Sequence, residues 1–147
     1  MKNKIKLFLI ILIFSFYNEN LISNEFELKS QNINILNKGN VLEASGEVEI
    51  KTDNDIEIFS DNSRVDKEKS YLEASGNVRA IDVNKKLEIE SDKIVYDKKI
   101  ELLKTFGESK IFYDNDIILK SKNLKFERNK NILSSDSKTS LEDNLGN

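Results

Sequence analysis

Leu-Glu-Ala-Ser-Gly occurs twice in this chain, at residues 42–46 in VLEASGEVEI and at residues 72–76 in YLEASGNVRA. An echo after thirty residues points to one supersecondary unit copied along the chain, and copies of that size bury their apolar faces by stacking on one another. Aligning Gly46 with Gly76 places Gly107 next, in LLKTFGESKI, and then Ser137, in ILSSDSKTSL, at spacings of 30, 31 and 30 residues. A second anchor keeps the same beat. Ser30, Ser60, Ser91 and Ser121 each stand two residues after an apolar side chain: Leu28, Ile58, Ile89 and Leu119. Two anchors in step predict four copies of one unit over residues 26–145.

Each unit holds two runs with the period-2 alternation of a half-buried strand. In one run Leu42, Ala44, Val48 and Ile50 share a parity, against Glu43, Ser45, Glu47 and Glu49 on the other. The pattern recurs at Leu72, Ala74 and Val78, and one residue out of step at Leu103 and Ile111. The other run carries Ile56 and Ile58, Leu87 and Ile89, or Ile117 and Leu119. Past the serine it continues into Val65, into Ile94 and Tyr96, or into Leu124 and Phe126. Parity changes at the serine, which predicts a bulge or kink where the strand turns a corner. Glycines inside strands mark bulges or close backbone approach, and Gly46, Gly76 and Gly107 are read in that way. Polar turns such as Asp66-Lys67-Glu68-Lys69 and Arg128-Asn129-Lys130-Asn131 separate the runs. The expectation is an all-β fold of short antiparallel strands. A helical solenoid is disfavoured, because β-branched and aromatic residues alternate in twos.

Composition narrows the function. The chain has 147 residues, no cysteine, no histidine and no tryptophan. Nucleophilic dyads and triads built on histidine are therefore excluded, and so are the usual zinc sites. A carboxylate pair of the glycosidase kind would need a concave site that sequence does not reveal. The reading is a protein that is not an enzyme and carries no cofactor. Asp53-Asn54-Asp55 and Asp114-Asn115-Asp116 resemble the opening of a calcium loop, but the glycine and the distal bidentate glutamate of such a loop are missing both times. They are read as polar turns, so no metal site is expected.

Lys2, Lys4 and Lys6 precede an apolar stretch from Leu7 to Tyr17 interrupted only by Ser15. This is the layout of a secretory signal peptide over residues 1–23, with cleavage after Ser23, the alternative being a retained membrane anchor. Removing that segment takes three lysines and one glutamate, and the formal charge moves from −3 to −5. Such acidity argues against a nucleic-acid partner. Without cysteine, an exported chain of this kind must be held by burial and backbone pairing alone.

The repeated frame, apolar-x-Ser-Asp followed by a turn and Leu-x-Ala-x-Gly-x-Val, resembles the organic-solvent-tolerance-like domain of the lipopolysaccharide transport proteins. IFSDNSRVDKEKSYLEASGNVRA (58–80) carries it most clearly, and IESDKIVYDKKIELLKTFGES (89–109) repeats it with Tyr96 and Asp97. The resemblance implies a β-jellyroll shaped like a half-open taco over residues 24–147, built here from two-strand repeats of about 30 residues. It further implies a periplasmic location and acyl chains of lipid A held between the sheets. Partners would be other jellyroll proteins of the transport bridge, joined end to end by strand addition, with a second copy of this chain among the candidates. SLEDNLGN (140–147) resembles the link to the barrel in the outer-membrane assembly protein, whose N-terminal periplasmic domain this chain would then be, in truncated form.

The inward positions that would line a lipid groove are Leu42, Ala44, Val48, Ile50, Ile58, Leu72, Ala74, Val78, Ile89, Tyr96, Leu103, Ile111, Leu119 and Phe126. By themselves these residues suit a filled, closed core equally well. The competing function is a structural β-repeat domain that binds protein and no lipid. In either reading unpaired strand edges, which no proline protects, are templates for a partner strand.

Overall fold

The structure, a computed structural model, describes residues 25–114 and 116–143. The predicted signal segment, residues 1–23, lies outside the described residues. Eleven strands account for most of the rest: β1 (Phe26–Lys29), β2 (Asn32–Leu36), β3 (Val41–Thr52), β4 (Ile56–Asp66), β5 (Tyr71–Asp82), β6 (Leu87–Asp97), β7 (Leu102–Tyr113), β8 (Ile117–Lys122), β9 (Lys125–Glu127), β10 (Ile132–Ser134) and β11 (Ser140–Asp143). All pairings are antiparallel, and from β3 to β8 they follow chain order. Both β1 and β2 pair with β3, the ladder runs on from β3 to β7, and β7 pairs with β8 and β9, which are flanked by β11 and β10.

The central strands are longer than the alternation predicts, at 11 or 12 residues each. Each is two short runs joined through a corner that does not interrupt the strand. On β3 the pair Gly46 and Glu47 stands opposite the single residue Asp61 of β4, between the partners Ser45↔Asn62 and Val48↔Ser60. The same two-for-one step recurs at Gly76 and Asn77 against Asp92 of β6, and at Gly107 and Glu108 of β7 against Asp92 on its other side. A two-for-one step is a β-bulge, which bends a strand and sharpens its twist. Inward residues keep their parity across the glycine on β3, from Ala44 to Val48. They switch parity on β4, from Ser60 to Ser63. The parity change read at the serine is thus real, while the extra residue belongs to the glycine strand opposite.

Glycine is required here for two reasons. Gly76 has φ +78°, where a Cβ clashes with the backbone, and a Cβ placed on it would stand 2.5 Å from Asp61 Oδ2 and 2.9 Å from Asp61 Cβ. The serine before the corner supplies hydrogen bonds that the broken ladder lacks. Ser60 Oγ donates to Asn62 O at 3.0 Å, and Ser91 Oγ donates to Phe106 O at 3.2 Å.

The corners divide one meander into two walls. The first contains β1, β8, β11 and the adjoining halves of β3 to β7; the second contains β2, β9, β10 and the remaining halves. Inward side chains of both walls form a single apolar cluster: Ile50, Ile58, Val78 and Ile89 come from the first, and Leu72, Ile94, Tyr96 and Leu103 from the second. The sheet does not close. Among the described residues no ladder joins β1 or β2 to β10 or β11, so both edges stay free.

Turn residues line up in the same way. In the second wall Lys67 N donates to Asn40 O at 2.8 Å, Lys98 N to Ser70 O at 3.0 Å and Arg128 N to Glu101 O at 3.0 Å. In the first wall Val83 N donates to Asp55 O and Asp114 N to Lys86 O. Exposed cross-strand ion pairs such as Lys51 with Glu57 and Lys93 with Glu73 cover the outer face, and each is worth less than about 1 kcal/mol.

The corner generates a direct test. Gly39 also has a positive φ, +95°, but no atom lies within 4 Å of a Cβ built there. Gly39→Ala is expected to cost about 1 kcal/mol through backbone strain alone, and Gly76→Ala about 2–3 kcal/mol through strain plus collision with Asp61. Urea titrations of the two variants measure the difference; equal losses would refute the account of the corner.

Candidate functional site

Two features of the interior stand out, and both sit on the side of the molecule opposite the corners, where the two rows of turns approach each other. The first is a polar latch. Arg128 opens the short 3-10 turn Arg128–Lys130 after β9 and is buried at 7% exposure. Its Nε donates to Asp82 Oδ2 at 2.6 Å, its Nη1 to Glu101 Oε2, and its Nη2 to Asn54 O at 3.1 Å. Asn54 Nδ2 in turn donates to Tyr96 Oη and to Glu101 Oε1, both at 2.6 Å, and the Tyr96 hydroxyl donates to Glu101 Oε2 at 3.1 Å. Thr52 bonds Asn54 and anchors the Ile56 backbone, with Ile56 N donating to Thr52 Oγ1 at 3.0 Å. Asn54 and Asp82 belong to the first wall; Tyr96, Glu101 and Arg128 belong to the second. Lys98 adds a further bond across the same mouth, 3.0 Å from Asp53 Oδ1.

Electrostatics fit this geometry. Burial alone would lower the Arg128 guanidinium, but its hydrogen bonds to Asp82 and Glu101 outweigh it and raise the pKa, so the group stays charged. A planar fork that serves two carboxylates and a carbonyl suits arginine and not lysine. Truncating such a buried partner leaves carboxylates without compensation, a change that costs about 3–5 kcal/mol. Burial also pushes the Tyr96 hydroxyl up, to about 12.

The second feature is a cavity of about 560 Å3 between the walls at the C-terminal end of the meander. Leu87, Ile111, Leu119, Phe126 and Leu133 line it, Tyr113 and Ile117 stand half exposed at its mouth, and Lys85 and Lys86 form a basic lip. Asp114 hydrogen-bonds Lys86 Nζ at 2.8 Å and holds that ammonium above its ordinary value. The volume lies within the roughly 300–1,000 Å3 range of ligand sites, and the composition, an apolar lining with a few polar groups at the rim, is typical of them. A larger depression of about 630 Å3 crosses the outer face at Arg79, Glu90, Asp92, Glu108, Lys110 and Lys120. Its lining mixes charges of both signs, several of them engaged in ion pairs, and so selects no ligand class.

Leu42 and Leu119 pack on the apolar cluster half buried, and the other twelve sequence-predicted inward residues lie within it. Ile111, Leu119 and Phe126 reach the cavity, and Tyr96 serves the latch. Beneath the latch lies only a small gap of about 10 Å3, lined by Ile56, Ile89, Leu103 and Arg128 among others. Sequence reasoning missed the latch. Asp53-Asn54-Asp55 is the turn it was read as, with Asn54 also bonding across the mouth, and Arg128 was read as turn chemistry only. One signal was present: the chain has three arginines among 23 basic residues. Among the described residues there is no cluster of three acidic groups fit to hold a metal.

Two walls from one bent antiparallel meander, with an apolar interior and two free edges, define an open β-jellyroll of the LptA type. Among solved structures the fold matches LptH, described as the LptA-homologous periplasmic component of the conserved lipopolysaccharide transport device of Pseudomonas aeruginosa. The TM-score is 0.69, with 79% of this chain and 92% of that chain covered at 9% sequence identity. No protein-family model matches the sequence, and no curated protein matches it.

The latch predicts a titration. Tyr96 is protonated in the native state up to about pH 12, whereas the unfolded chain ionises it near 10. Its contribution is therefore complete below pH 10 and is lost between 10 and 12, by roughly 2 kcal/mol. Absorbance titration is expected to show one tyrosine ionising about two units late, and the late step should vanish in Tyr96→Phe; a late step that persists in the variant refutes the assignment.

Proposed function

We propose that this chain is a periplasmic module that shields the acyl chains of lipopolysaccharide between its two walls and pairs edge to edge with other jellyrolls of a transport bridge. The observation that carries the reading is the apolar cavity with its lysine lip, set inside a fold that matches a periplasmic lipopolysaccharide transport component. An acyl chain gains about 0.8 kcal/mol per methylene buried, so a site of this size yields useful affinity from partial insertion alone. Lys85 and Lys86 stand where the anionic head of such an amphiphile emerges.

The free edges suit the second part of the reading. All five residues of β2 are exposed, Ile33 and Ile35 included, and at the other edge Ile132 and Leu141 are exposed. An exposed apolar edge strand recruits another strand by backbone pairing.

Two variants separate lipid binding from assembly. Leu119→Gln is expected to weaken binding of purified lipopolysaccharide roughly 10- to 100-fold, the worth of one buried leucine, without altering self-association. Ile35→Asp is expected to leave lipid affinity intact and to reduce association in sedimentation velocity. Absence of saturable lipopolysaccharide binding by the wild-type chain would sink the lipid reading and leave the structural β-repeat scaffold.

A further inference from the structure

Leu87 and Phe126 each face two spaces. On one side they line the open cavity; on the other they bound the gap of about 10 Å3 shared with Ile56, Ala80, Leu103 and Arg128. Leu87 and Phe126 are therefore a partition that the cavity and this gap share. Phe126 is the middle residue of β9, which is three residues long and pairs with β7 through Leu102↔Glu127, Leu103↔Phe126 and Lys104↔Lys125. Two residues on, Arg128 ties this short element across the mouth to Asp82 and Asn54 of the opposite wall.

Among the described residues no backbone hydrogen bond joins the two rows of turns; the mouth is held by the side chains of Asn54, Lys98 and Arg128. A packed apolar seam would hold two walls together at least as well as a buried ionic one. The ionic seam is also flanked by apolar residues that point into water. Val83 follows Asp82 and is 56% exposed, and Ile100 precedes Glu101 and is 59% exposed. Apolar side chains on both sides of a polar seam offer a landing place for an acyl chain at the line along which the walls would part.

We propose that Arg128 is the gate of the groove. Bound to Asp82 and Glu101, it stops an acyl chain at the Leu87–Phe126 partition; released, it frees β9 to move aside and lets the chain run inward along Ile89 and Ile56. This rests on the lipid reading above and adds the residue that sets how deep a chain can go. Short acyl chains fit the cavity with the latch closed, and longer ones must break it.

The test uses palmitic acid carrying a diazirine at its terminal carbon, photolysed on the full chain, with labelled peptides mapped by mass spectrometry. In the wild-type protein the label is expected on peptides holding Ile111, Leu119 and Leu133. In Arg128→Lys, which keeps the charge and loses the fork, a several-fold rise is expected on peptides holding Ile56 and Ile89. Equal labelling of Ile56 in both proteins overturns the gate and leaves the lipid reading intact; no label on any cavity peptide overturns the lipid reading and the gate with it. Because the chain has no native cysteine, spin labels at Val83 and Asn129 report the mouth width independently. Asp82→Asn is expected to lengthen and broaden that distance relative to the wild-type chain, and an unchanged distribution overturns the gate.

Discussion

Everything in this molecule follows from the way each long strand gets round a corner without leaving its ladder. Two residues of a glycine strand face one of its neighbour, at Gly46, Gly76 and Gly107 in turn, and the bend therefore repeats at the same height along the sheet. A bulge that recurred at different heights would crumple the sheet; bulges in line fold it. One meander thereby supplies both walls, and its interior needs no second sheet from elsewhere. The serines beside the corners at Ser60 and Ser91 are part of the same solution, because a ladder that skips a pair leaves backbone groups that must find other partners.

An interior made in this way is asymmetric along the meander. In the middle, neighbours on both sides hold each strand, and beneath the latch only a small gap remains beside Ile56, Ile89 and Leu103. At the C-terminal end the strands are short, β9 and β10 of three residues each, and their side chains cannot fill the space opposite Ile111 and Leu119. The cavity is the geometric consequence of long strands facing short ones. The structure thus lies between the two pictures the residues allowed: a filled core over most of its length and an open, apolar space at one end.

How much of this the sequence discloses depends on the range of the interaction. The two faces are legible in the alternation of Leu42, Ala44, Val48 and Ile50, because a strand's neighbours fix its sides locally. The corners are legible too, since a glycine and a parity change are local signals repeated at one spacing. The latch is not. Asn54 meets Tyr96 and Glu101 across 42 and 47 residues, and Arg128 meets Asn54 across 74, so each side chain reads in its own neighbourhood as ordinary turn polarity. The cavity is equally hidden, because the alternation of Leu119 and Phe126 is the same whether the space before them is filled or empty. Even the strand lengths were underestimated for this reason: two runs with different parity look like two strands until the partner's bulge joins them.

The position of the charges completes the argument. Asp82 ends β5, and Glu101 and Arg128 stand in the turns next to β7 and β9, at the one line where the walls touch through turns and not through a ladder. Buried charges of this kind lend little net stability, yet they fix one alignment of the surfaces that carry them, since any shift leaves a charge without its partner. Apolar packing along the same line would tolerate many alignments. The corners thus determine that the walls face each other, and the latch determines where along the mouth they meet. The cavity beside Leu87 and Phe126 opens next to that line, with Arg128 on the gap that both side chains share, and this is why the proposed gate assigns the depth of filling to Arg128.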